Sequence, residues 1–220
     1  MSLLTANGIP VAEAYLSLPR VGRGVASVIL GRDTGPSGGE SVTLEWQDGT
    51  TLACTCVVGQ KAQGWWQMGL VLGAGKLSRG LPSRYYEGIP AATVAKDIVS
   101  EAGEKAGQID LPGTLTRYVR REGPAYQQLS ALLAGTDRAW RIQPDGKVWI
   151  GLDGYPQEGP VDVVKAHPQT RRYTLGLSPD LQPGVSLLGR LDGEERPLGK
   201  VDRVAHRVGK ELRTEVWCAD

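Results

Sequence analysis

Thr114-Leu-Thr-Arg-Tyr-Val-Arg-Arg-Glu-Gly-Pro-Ala-Tyr-Gln-Gln-Leu-Ser-Ala-Leu-Leu133, continued through the segment that ends at Gly151, decides how this chain reads. Leu115 to Arg121 is a basic strand. Gly123-Pro124 then opens a helix that runs to Leu133, because proline suits a first helical turn. Within it Tyr126, Leu129, Leu132 and Leu133 form one apolar stripe, and Gly135 closes the helix. Ala139-Trp-Arg-Ile-Gln143 and Lys147-Val-Trp-Ile150 flank Pro144-Asp-Gly146, a turn between two short strands. The result is a strand–helix–hairpin unit whose chemistry is packing, with no cluster of nucleophiles or metal ligands. The segment points to an assembly part before an enzyme.

Immediately upstream, Ala91 to Ala102 sets Val94, Ala95, Ile98, Val99 and Ala102 at helical spacing, after Pro90 and before Gly103. Gly107 to Gly113 reads as a loop.

On both sides of this middle the period changes to that of strands. The first eighty or so residues contain Val11 to Leu18, Gly24 to Leu30, Glu40 to Trp46, Thr50 to Val58 and Trp65 to Leu72. Gly31 to Gly39 is a Gly/Pro/Ser loop. Asp48-Gly49 is the strongest short hairpin signal, since its positive φ matches strand twist, and Gln60 to Gly64 reads as a second hairpin. The last third offers Val161 to Ala166, Arg172 to Leu177, Val185 to Leu191, Leu198 to His206 and Leu212 to Trp217, punctuated by Gly, Pro and Asp. The expected fold class is α+β, mainly β: two small β-barrel or sandwich-like modules with a helix-containing α/β insert between them. The expected domains are 1–87 (β), 88–155 (α/β insert) and 156–220 (β, packing on the first).

Composition agrees with this reading. The 220 residues include 30 Gly and 14 Pro, suited to many short strands and tight turns. Six Trp and seven Tyr with no Phe mean that the large apolar groups carry polar tips, which favours edges and interfaces. A formal net charge of +1 lacks the basic excess of a non-specific DNA binder. Three cysteines are too few for a disulfide framework and fit folding in a reducing compartment. No signal segment and no long apolar run is present, so a soluble protein made inside the cell is expected.

The chemical motifs are weak. Asp33-Thr34-Gly35 copies an aspartic-protease tripeptide but sits in a glycine-rich turn with no apolar strand leading into it. Gly73-Ala-Gly-Lys76 partly matches a phosphate loop, yet Leu70 and Leu77 occupy positions that need Gly and Ser/Thr. Cys54 and Cys56 share a strand face and, with Cys218, read as packing thiols; His167 and His206 would be the remaining metal ligands. Neither histidine stands in a catalytic spacing. Arg117, Arg120, Arg121, Arg171 and Arg172 read as solvated strand faces or as partners for Glu101, Glu104 and Glu122.

The linear order of three segments resembles a known family. They are Val71-Leu-Gly-Ala-Gly-Lys-Leu77 with Tyr85 to Glu104; Tyr118 to Leu133 with the Asp145-Gly146 hairpin; and Leu181-Gln-Pro-Gly184 with Val201 to His206 and Leu212 to Val216. Together they resemble the baseplate or tail hub proteins of long-tailed bacteriophages, the group that includes the late-control D protein and the hub part of type VI secretion spikes. The resemblance implies a structural virion protein, made in the host bacterial cytoplasm and placed at the tail tip. It would form a ring at the distal end of the tail tube and adapt the tube's symmetry to the tip. The implied partners are copies of itself (a trimer favoured over a hexamer), other tail-tip and tail-tube proteins, and a tape-measure protein. No catalytic residues, cofactor, metal, specific nucleic-acid binding or membrane insertion is expected. Stopping at Asp220 leaves no room for a needle domain. A closed ring of subunits would cover exposed strand edges. Trp65, Trp66, Trp140 and Trp149 are the expected interface anchors, because Trp is enriched at binding hot spots. The rival expectations are a hexameric distal tail ring protein, a carbohydrate-binding module suggested by Trp65-Trp66, and a peptidoglycan-active tail enzyme.

Overall fold

The computed structural model describes residues 2–220. It is mainly β. The first six strands are β1 (Leu4–Ala6), β2 (Ile9–Pro19), β3 (Val25–Leu30), β4 (Ser41–Trp46), β5 (Thr51–Ala62) and β6 (Trp65–Leu72). They pair in the order β1-β4-β5-β6-β3-β2, and a further β1–β2 pairing closes them into a six-stranded barrel. The strict alternation of the sequence is what allows closure. Leu16, Leu18, Val28, Leu30, Val42, Leu44, Trp46, Leu52, Cys54, Cys56, Met68 and Leu70 all point inward and are buried.

The middle of the chain begins with β7 (Gly80–Leu81) and β8 (Arg84–Pro90), followed by helix α1 (Ala91–Ala102) and β9 (Lys105–Ile109). Then come β10 (Thr114–Arg120), β11 (Gly123–Pro124), helix α2 (Ala125–Leu133), β12 (Ala139–Ile142) and β13 (Lys147–Gly151). Both helices match their expected spans. α1 ends at Gly103, which takes φ +92° and donates its N–H to the carbonyls of Ser100 and Val99. The two helices pack on each other through α1's buried Val94, Ile98 and Val99 and α2's Leu129, Leu132 and Leu133.

Three readings of this region change. Lys105–Ile109, half of it read as loop, is a strand, and it pairs in parallel with β13. The basic strand β10 does not join the hairpin; it pairs antiparallel with β8, which went unread in the sequence. The boundary expected at residue 88 therefore falls inside a strand whose hydrogen bonds go to the middle region.

The last strands are β14 (Gln157–His167), β15 (Arg172–Leu175), β16 (Ser186–Leu191), β17 (Glu194–Val208) and β18 (Arg213–Ala219). Their pairings run β17-β16-β14-β15-β18, and a β17–β18 pairing closes a second, five-stranded circuit. β2 and β17 pair antiparallel from Ala14↔Val208 to Pro19↔Arg203, so one eleven-stranded sheet contains both circuits. Every strand of that sheet has two neighbours within the chain. Contact between subunits is thus not what covers its edges; open edges remain only in the small sheets of the middle region.

The register across the β2–β17 seam fixes the two faces. Leu16, Leu18, Val204, His206, Thr214 and Val216 point into a continuous core. Tyr15, Ser17, Arg203, Arg207, Arg213, Glu215 and Trp217 lie on the opposite, outward face, which crosses from one circuit to the other.

Candidate functional site

The four tryptophans expected at an interface occupy different environments. Trp65, at the tip of the β5–β6 hairpin, is 49% exposed, and Val57 and Val58 on the same hairpin are also exposed. Trp66 is half-buried: its indole N–H donates to the Pro36 carbonyl at 3.1 Å, which pins the Gly-rich loop onto the hairpin. Gly59 permits that contact, since a Cβ there would stand 2.2 Å from Pro36 O. Trp149 is partly covered by the Arg141 guanidinium, 4.0 Å from its ring centre. Trp140 is an interior residue, 3% exposed, whose indole N–H donates to Ser130 Oγ at 3.2 Å. Its surface is used by its own chain, because the α2 stripe and the hairpin close over it.

Buried charges that alternation alone does not reveal hold the parts together. In the Gly73-Ala-Gly-Lys76 segment, backbone N–H groups do grip an anion, and that anion is the chain's own Glu104. Its carboxylate accepts from Ala74 at 2.9 Å and from Lys76 at 2.6 Å. Gly73 (φ +76°) is required there twice over: the backbone is left-handed, and a Cβ would meet Glu104 Oε2 at 2.9 Å. Arg120 is fully buried and ion-paired to Glu101 at 2.7 Å, with Pro82 O accepting from Nη2 at 3.0 Å. The guanidinium holds the Glu101 carboxyl below its usual range, mainly through the hydrogen bond it donates. Asp153 accepts from Arg141 at 2.7 Å and from Arg20 at 3.0 Å, while Arg20 also donates to Asp202. That set ties β2, the β12–β13 hairpin and β17 to one point.

On the outward sheet face, the carboxylate of Glu215, 2% exposed as a side chain, is approached by three guanidinium groups. Arg172 Nη2 lies at 2.7 Å, Arg213 Nε at 3.3 Å and Arg207 Nε at 3.8 Å. Beside them Arg203 stacks 3.6 Å over the Trp217 ring and Arg207 4.8 Å over Tyr15.

The residues weighed for chemistry are spread apart. Asp33 is on the surface, where the Lys61 ammonium at 2.6 Å lowers its carboxyl pKa, chiefly by hydrogen bonding. Burial pushes the Cys54 thiol up to about 12 and the Cys218 thiol up to about 11, so both remain protonated at neutral pH and are poor nucleophiles. Cys56 is raised by burial as well. His206 Nδ1 lies 3.0 Å from Thr214 Oγ1, and the Trp46 ring meets it edge-on at 5.7 Å. Burial lowers the His206 pKa to about 4, which leaves a neutral imidazole. Among the described residues no three His, Cys, Asp or Glu side chains converge as metal ligands. No helix is long and apolar enough to cross a membrane among those residues.

No protein-family model and no curated protein matches the sequence. Solved structures do match the fold. A component of the Escherichia coli type VI secretion system, described as structurally similar to bacteriophage T4 tail proteins, superimposes with a TM-score of 0.74. The match is 10% identical and covers 97% of this chain and 75% of that one. A tail protein from Neisseria meningitidis matches with a TM-score of 0.71 at 12% identity, covering 97% of this chain and 95% of the other. The prophage MuSo2 tail protein from Shewanella oneidensis gives 0.71 at 9% identity with the same coverages. At these identities the likeness is one of fold.

Proposed function

We propose that the chain is a structural, non-catalytic subunit of a phage-type tail: a ring component of the baseplate or tail hub at the distal end of the tail tube. The observation that carries the reading is the fold likeness, over 97% of the chain, to two bacterial tail proteins and a type VI secretion component described as similar to phage tail proteins. Two closed strand circuits joined by the β2–β17 seam add a physical reason. Each chain carries two β units side by side, so three chains offer six around an axis, which suits a sixfold tube and a threefold tip. On this reading the units are residues 1–87, 88–155 and 156–220, and the strand pairing of β8 draws the first boundary back towards Gly80.

Trp65 at the exposed hairpin tip is the strongest of the candidate anchors against a neighbouring subunit, with the exposed Val57 and Val58 farther back along β5. Because the two circuits are closed, a neighbour meeting them would join by side-chain packing and not by strand addition.

The test is to label this chain on intact particles, average electron images along the tail axis, and count copies. Three copies at the tip support the hub reading. Six would favour the distal tail ring, and absence from particles would overturn a virion role.

A further inference from the structure

The outward face of the sheet carries more positive charge than its own structure neutralises. Three guanidinium groups face one carboxylate oxygen, Glu215 Oε1: Arg172 pairs with it closely, Arg213 lies farther off and is also paired with Glu211, and Arg207 stands most distant. The two Nε approaches, from Arg207 and Arg213, are too poorly aligned to be hydrogen bonds. Among the described residues the Nε–H groups of Arg172, Arg207 and Arg213 are buried without an acceptor. Those three Nε atoms are shut off from solvent and so from a docked segment; what a segment can reach is the rest of the side chains, 37% exposed in Arg172 and 41% in Arg207. Arg203 and Arg207 are held rigidly by stacking on Trp217 and Tyr15, which lowers the entropy lost when they bind.

The register makes these groups one surface. Arg207 stands opposite Arg213, Arg203 opposite Trp217, and Trp217 in turn opposite Arg172. Tyr15 stands opposite Arg207 across the seam. A depression of about 430 Å³ continues the surface past the seam, lined by Tyr15, Ser27, Ile29, Arg207 and Lys210 together with Glu13 and Glu211.

We infer that this arginine face is a docking site for an acidic polypeptide segment of a neighbouring protein, whose carboxylates pair with the guanidinium groups of Arg203 and Arg207, neither of which has a close carboxylate partner among the described residues. Side-chain carboxylates fit the planar forks in a bidentate manner, and an apolar side chain of the same segment fits the depression against Ile29 and Tyr15. A nucleic-acid backbone fits less well. The aromatic faces that would stack bases are already capped by guanidinium groups. The inference stands whether or not the tail reading holds.

The test uses the full chain and a fluorescein-labelled poly-glutamate peptide, followed by anisotropy at low salt and at about 0.15 M salt. The peptide should bind, weaken as salt rises, and lose about tenfold in affinity in the double variant Arg203→Gln, Arg207→Gln. Neither residue makes a close ion pair with Glu215, so the variant should fold; an unchanged unfolding midpoint checks this. If it does not fold, Arg203→Gln alone should still weaken binding severalfold. In the native protein the arginine Nε–H resonances of Arg203 and Arg207 should shift on titration. Two results overturn the proposal: no binding of the peptide at low salt, or duplex DNA binding this face more tightly than the peptide does.

Discussion

Glu104 accepts the backbone N–H of Lys76 at 2.6 Å, so the residue that follows the cap of α1 completes the glycine turn that follows the barrel. A local sequence signal for anion binding is thereby spent inside the molecule, where it fastens the helical region to the end of β6. Replacing Glu104 by Ala leaves two part-buried N–H donors without their acceptor and should cost about 1–2 kcal/mol. Glu104→Gln keeps one acceptor and should cost less. Urea unfolding of the three proteins orders them, and equal midpoints would contradict this role.

Arg120 and Glu101 make an unequal pair, because the arginine is fully buried and the glutamate side chain is 29% exposed. Removing Glu101 leaves a guanidinium in the interior with little compensation, whereas removing Arg120 leaves a carboxylate that water and Arg84 can still reach. Glu101→Ala should therefore destabilise by about 3 kcal/mol and Arg120→Met by distinctly less. Chemical denaturation of both variants decides it; the reverse order refutes the asymmetry.

His206 links stability to pH. Its pKa is about 4 in the folded chain, against about 6.5 in an unfolded one. The unfolded state thus binds the extra proton first as pH falls. The contribution of the neutral, buried ring is complete above about pH 6.5 and is lost progressively down to about pH 4, amounting to about 3 kcal/mol. Unfolding free energies measured across this window should decline in the native protein and flatten in His206→Asn. A native profile with no slope there would show that the ring is not buried as described.

Trp65 and Trp140 should separate assembly from folding. Trp140→Ala opens a cavity beneath α2 and breaks the bond to Ser130, so a loss of about 3–5 kcal/mol is expected. Trp65→Ala removes an exposed ring and should change stability by less than about 0.5 kcal/mol. On the proposed function, Trp65→Ala should nevertheless lower incorporation into tails, read by complementation and particle counts. Full incorporation would remove Trp65 from the interface.

The elements with a clean period were legible in the sequence, and those lacking one were not. α1 matches its expected span residue for residue because five apolar side chains recur on one face between Pro90 and Gly103. The barrel strands were visible because one face of each is buried. β9 was missed because Lys-Ala-Gly-Gln-Ile does not alternate; its hydrogen bonds come from the parallel partner β13, which lies far along the chain. β8 carries Gly88 and ends in Pro90, both poor strand formers, yet β10 supplies its ladder. β1 is only three residues long.

The site residues were harder still. Arg120 shares its strand face with Tyr118, opposite Tyr86, and that parity was the one cue that it turns inward. For Glu104, Asp153 and Glu215, burial depends on partners brought together by the fold, and no local pattern announces it. Trp content suggested anchors, but composition cannot tell the core Trp140 from the exposed Trp65.

The β2–β17 seam also sets an order of events during synthesis. All six strands of the first barrel have been synthesised by Leu72, so that barrel can close once they emerge, before the rest of the chain is made. Its outer partner strand arrives far later: Arg20 and Asp202, bonded across the seam, are 182 positions apart. The nascent chain must therefore shelter one half-finished flank through most of translation. Contacts this distant in sequence form slowly, so the join between the two circuits is the step at which a crowded cell can most readily divert the chain.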